Sequence, residues 1–248
     1  MNQLNWQKAV RLGLIAGIVG VLIALVGMVE TFDKRDIVAG TLAMSWTMLI
    51  ITILVSAYMS ASHQTSNSLS IVAGAITGFI FSLMVSMLVV IIDALSIRHI
   101  FVNASPTLIN ILTFENGVPG GLLYLVITGA IVGVIGSGIY ILPEKIRKAI
   151  ILGLGMVAFI GLMEDIILVP MRDFPALNAA LSWMFARGSQ SGLSIVGAIV
   201  VFVLVAGVNY WWGENQQKIS TSVQKMPEKR QRSLRILGYG LLILVILY

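Results

Sequence analysis

Glu164 and Asp165 stand side by side in an otherwise apolar stretch, and Arg172 follows seven residues after the aspartate. A carboxylate at membrane depth is expensive to hold, so such a pair has two natural readings. Either it lines a polar path for a solute, with Arg172 as counter-charge, or it sits at the end of a span, with Ile166 to Met171 lying along the surface. The second reading is the simpler. Two further acid–base steps share its form: Glu30 precedes Arg35, and Asp93 precedes Arg98, each by five residues. They are read as structural ion pairs at span ends, where an exposed pair contributes at most about 1 kcal/mol.

Other chemistry is excluded by residue type. There is no cysteine, hence no thiol nucleophile, disulfide or thiolate metal site. The two histidines, His63 and His99, are far apart and fall in loops without a metal-binding companion. No phosphate-binding glycine loop, zinc-protease helix or serine-hydrolase elbow is present. General acid–base catalysis needs convergent titratable groups, and Glu164 with Asp165 is the one pair that qualifies. The expectation is a chain with no catalytic residue, no metal and no cofactor, which is not an enzyme.

The elements that position these residues follow from composition. Of 248 residues, 58% are apolar and 11% charged, about half the charge of an ordinary soluble domain. Mean hydropathy is +0.96. Six apolar runs approach the roughly 20 residues that a hydrocarbon core about 30 Å thick requires. They are Leu12 to Val29, Ile37 to Ser60, Leu69 to Ile92, Leu122 to Leu142, Ala149 to about Met171, and Leu193 to Trp212. A seventh run, Ile236 to Tyr248, is long enough for about 20 Å of helix and reads as the truncated start of a further span. The fold class expected is all-α integral membrane, with six transmembrane helices as three hairpins (about 9–60, 69–142 and 149–212), then a basic cytoplasmic linker at 213–235.

Charge sets the orientation. Eleven basic and three acidic residues fall on the face of the N-terminus, five basic and eight acidic on the other, which predicts a cytoplasmic N-terminus and linker in a multi-pass inner-membrane protein. The net charge of +5 is thereby explained by topology and gives no reason to invoke nucleic acid. The tract Lys225 to Arg235 is the densest basic segment, suited to an anionic lipid surface. Gly13 with Gly17, Gly74 with Gly78, and Gly129 with Gly133 are each four apart, a spacing that lets helices approach closely.

The hairpins overlay as a parallel internal repeat. The acid–base steps at Glu30, Asp93 and Asp165 correspond, and Pro106 to Phe114 aligns with Pro175 to Trp183 in proline, two leucines, a hydroxyl residue and an aromatic. Each of the latter segments predicts a short helix begun by proline and lying in the outer interface. In the first hairpin the equivalent has to merge into the second span.

The basic stretch Lys229 to Arg235 running into Ile236 to Leu244 resembles the opening of a permease subunit of bacterial ABC-type importers of branched-chain amino acids. Val29-Glu30 before Arg35-Asp36, and Phe101 to Pro106, resemble the additional membrane region that precedes the core in some such permeases. The resemblance implies a membrane accessory domain beside further permease subunits, a cytoplasmic ATPase and an outer solute-binding protein. The acidic, alanine-rich coupling helix of such permeases has no counterpart in the cytoplasmic loops, and no substrate-contacting residue is carried over. An independent small-solute transporter using Glu164 and Asp165 is the alternative.

Overall fold

The computed structural model describes residues 4–27, 35–95, 110, 112–171, 173–186 and 192–224. In chain order the elements are α1 (Trp6–Gly27), β1 (Asp36–Val38), β2 (Leu42–Ala43), α2 (Met44–Ala61), α3 (Asn67–Ala94), α4 (Gly117–Ile141), α5 (Glu144–Leu162), α6 (Glu164–Met171), α7 (Pro175–Leu181) and α8 (Ile195–Gln224). Five helices, α1 to α4 and α8, are long and apolar enough to cross a membrane. The pair α5 and α6 makes a sixth span if counted as one, but it is bent by 61° at Met163.

Local signals account for several helix starts. Ser66 caps α3 by accepting the Leu69 N–H at 3.4 Å, and Pro143 immediately precedes α5. Gly117, at a φ of +72°, turns the chain into α4, where Pro119 falls in the first turn and sacrifices no helical hydrogen bond. The second apolar run departs from expectation. Residues 36–43 form a β-hairpin, and the helix begins only at Met44. Ile37, Val38 and Thr41 are β-branched, and Gly40 takes a φ of +64° at the turn. The Asp36 carboxylate accepts the Gly40 N–H at 2.8 Å, and the Met44 N–H returns to the Arg35 carbonyl at 2.9 Å. The first hairpin thus has a strand pair where the third has a surface helix.

The helices do not pack as three equal hairpins. α1 to α4 form a four-helix bundle in which α3 touches all three others. Its core joins Ala16 and Ala24 of α1, Leu49 and Ile53 of α2, Phe81, Val85, Val89 and Ile92 of α3, and Leu125 of α4. The paired glycines lie at its crossings. A Cβ on Gly74 would fall 2.5 Å from the Gly133 carbonyl oxygen, and one on Gly78 would collide with the Gly129 carbonyl. Gly13 and Gly17 meet Ile80 and Met84 in the same way. Thr77 fastens the α1–α3 crossing by donating to the Ala9 carbonyl at 3.2 Å.

α8 packs chiefly on α5, where Gly153 admits the Phe202 ring. It continues past the apolar stretch to Gln224, so 213–224, expected as linker, is helical. The start of the chain and the α2–α3 turn share one end of the bundle, since the Asn5 N–H donates to Gln64 Oε1 at 3.0 Å. α7 begins at the expected proline. Of its aligned counterpart, only Asn110 and residues 112–114 are described, and the aligned leucines sit differently. Leu112 is fully buried in the bundle core, whereas Leu181 is half-buried against the small cluster of Met171, Phe185 and Leu193.

Candidate functional site

Helix α5 ends at Leu162, and ending a helix leaves its last carbonyls without partners. Arg35, at the entry to β1, supplies one. Its Nη2 donates to the Leu162 carbonyl at 2.9 Å and reaches Asp165 Oδ2 at 3.1 Å. A guanidinium here meets the negative end of the α5 dipole and a carboxylate together. Glu164, one residue earlier, turns the other way. It is 4% exposed, and its Oε2 accepts the N–H of Gly192.

Gly192 has a φ of +92°, and a Cβ there would collide with the Asp36 carbonyl oxygen. The backbone beyond it joins β1: the Leu193 N–H donates to the Ile37 carbonyl at 3.0 Å, and the Ala39 N–H to the Leu193 carbonyl at 2.9 Å. Leu193 also bridges to Phe185, so three remote segments close into a small sheet-like knot. Gly161 lets this knot lie directly on α5, since a Cβ there would sit 2.6 Å from the Ile37 carbonyl oxygen. We call the ensemble of Arg35, Glu164, Asp165 and Gly192 the clasp. It ties the first interhelical connection to the α5–α8 pair.

Its members differ in energetic weight. Asp165 is 74% exposed in its side chain, so its ion pair with Arg35 is solvent-screened and contributes at most about 1 kcal/mol. The buried Glu164–Gly192 bond has more leverage, because losing the acceptor strands a buried N–H at a cost of about 1–3 kcal/mol. Arg35 Nε is buried without a hydrogen-bond partner among the described residues.

Among the expected site residues, the structure therefore brings together Arg35, Glu164 and Asp165. Asp93 lies near the end of α3, half-buried. Glu30, Arg98 and Arg172 lie outside the described residues, as does the apolar run at 236–248. Glu164 follows the bend at Met163, as a carboxylate at a span end would, but it is buried and accepts the Gly192 N–H. The reading missed Gly192 and Leu162, which carry no chemistry in their side chains, and the link between Arg35 and Asp165 spans 130 positions.

Two cavities accompany these elements. One, of about 460 Å³, is a groove between α3 and α4 lined by Leu83, Ser86, Met87 and Leu122 among others. The second, of about 410 Å³, lies beside the knot against Trp183, Phe185, Ser194 and Ile195. Neither has a charged residue in its lining. No group of three His, Asp or Glu residues suited to a metal ion occurs among the described residues.

The architecture and clasp belong to a mostly helical protein with, among the described residues, five helices of membrane-crossing length, or six if the bent pair counts as one span. No family model matches the chain, and neither curated proteins nor solved structures give a match.

Proposed function

We propose that the chain is a membrane-embedded accessory module of a transport permease and carries no catalytic activity of its own. The observation that carries this reading is the use to which Glu164 and Asp165 are put. One accepts a backbone N–H, the other pairs with Arg35, and both hold helix segments together. The long helices turn large apolar side chains outward along their length, among them Ile18 and Leu22 of α1, Leu123 and Ile131 of α4, and Val203 and Leu204 of α8. Such surfaces suit lipid or neighbouring membrane helices. The setting we propose, an importer of branched-chain amino acids of the ABC type with the N-terminus cytoplasmic, rests on the sequence resemblance and on the distribution of lysine and arginine.

A second reading, an independent small-solute transporter, is favoured by one feature: the burial of Glu164 beside the unpartnered Nε of Arg35. The double variant Glu164→Gln/Asp165→Asn separates the two. Both amides keep an oxygen that can accept the hydrogen bonds of the clasp, while the charges needed for a polar path are gone. Uptake of radiolabelled leucine, isoleucine and valine by cells is expected to fall when the whole chain is removed and to stay within about twofold of wild type in the double variant. Uptake indifferent to removal of the chain defeats the accessory-module reading. Uptake lost in the double variant at an unchanged membrane level transfers the case to the transporter.

A further inference from the structure

At the end of the bundle remote from the clasp, three helix termini converge on one arginine. Arg147, in the first turn of α5, has its guanidinium carbon 5.9 Å from the ring centre of Tyr58 and 5.5 Å from that of Tyr140. The two rings meet edge to face, 5.4 Å apart at 82°. Arg147 Nη1 also donates to the Tyr140 carbonyl at 3.1 Å. Two aromatic contacts and a hydrogen bond hold the side chain in one place. An arginine fixed in this way has already lost the conformational freedom that binding would otherwise cost, and its planar fork has further N–H groups suited to phosphate oxygens.

We propose that this clamped Arg147 anchors a binding site for the phosphate of an acidic membrane phospholipid. The proposal rests on reading the long helices as membrane spans and is independent of the transport setting. Three arguments select a membrane phospholipid. First, Tyr58 and Tyr140 close the ends of two apolar helices, the depth at which phosphates lie and at which the amphipathic tyrosine ring is at home. Second, the charge is suitable. Lys145 and Lys148 are exposed beside Arg147, and the adjacent carboxylate, Glu144, is held by Lys148 at 2.6 Å. Glu144 draws partly on the Arg147 charge as well, yet the turn keeps an excess of cations. Third, Val55 and Met59 on α2 and Ile135 on α4 lie exposed within about a turn and a half of the two tyrosines, an apolar surface along which acyl chains can lie.

The test uses the full chain in neutral detergent, with its unfolding temperature measured after adding phosphatidylglycerol, phosphatidylcholine or inorganic phosphate. Phosphatidylglycerol is expected to raise it by about 4 °C over phosphatidylcholine, the size of shift that saturating a specific site produces. Inorganic phosphate is expected to give no such rise. Arg147→Gln should lose more than half of the increment. Lys8→Gln, which removes one charge at the same end of the molecule, should keep it. Should Arg147→Gln fail to accumulate, Arg147→Lys keeps the charge without the planar stack and is expected to lose more than half as well. Equal increments in the Arg147 and Lys8 variants, a full increment in Arg147→Lys, or an equal response to inorganic phosphate overturns the proposal, as does no response to phosphatidylglycerol.

Discussion

Gly78→Leu is expected to prevent accumulation of the folded protein, because the α3–α4 crossing has no room for a side chain. At Gly78 the first added carbon already collides with the Gly129 carbonyl, and the Cα of Gly133 lies 3.1 Å from it on the same side. Both obstacles are backbone, so no rotamer change relieves them. The two helices have to separate, and doing so also opens the contacts made by Gly74, Gly133 and Ser137 along the same seam. In lipid this seam depends on close van der Waals contact, with little hydrophobic drive to restore it. A cost of about 3 kcal/mol or more is expected, at the upper end for overpacking. The level of folded protein in the membrane checks it, together with thermal unfolding in detergent of any that accumulates. Gly155→Ala and Gly207→Ala serve as controls, since nothing lies within 4 Å of a Cβ at either position, and both are expected to be neutral or slightly stabilising. A Gly78→Leu protein as stable as these controls contradicts the packing of α3 on α4.

The second large effect belongs to the clasp. Glu164→Leu leaves the Gly192 N–H buried with no acceptor, at a cost of about 1–3 kcal/mol. Gly192→Ala attacks the same contact from the other side. It places a side chain at a φ of +92° and drives its Cβ into the Asp36 carbonyl, so a loss of about 2 kcal/mol or more is expected. Since each change breaks the same bond, the double variant should lose clearly less than the sum of the singles. Glu164→Gln, which keeps an acceptor oxygen, should be much milder than Glu164→Leu. Strict additivity, or a Gln variant as damaged as the Leu variant, contradicts the role given to the Glu164–Gly192 bond.

What the sequence made legible was whatever depends on local periodicity. Long apolar runs located the long helices among the described residues, and glycines four apart marked crossings in the four-helix bundle. Pro175 marked the start of α7. Four features were hidden for physical reasons. Ile37 to Ala43 is as apolar as the helix it precedes, and the Leu193 backbone that pairs with this hairpin is more than 150 residues away. The inward turn of Glu164 depends on the bend at Met163, where no proline stands to announce it. Arg35 has acidic neighbours at Asp33 and Asp36, so nothing local points to Asp165 as its partner. The backbone carbonyl of Leu162 and the N–H of Gly192 are invisible to any reading by side-chain type.

The absence of cysteine makes the chain a clean background for single-cysteine labelling, which probes its arrangement most directly. In sealed, uniformly oriented vesicles, cysteines replacing Asn5, Ser62 and Lys145 are expected to react with a membrane-impermeant maleimide from one side. Those replacing Thr41, Asn116 and Asp173 are expected to react from the other. Labelling of Thr41→Cys and Asp173→Cys from opposite sides would separate the two halves of the clasp by a bilayer and contradict the structure described.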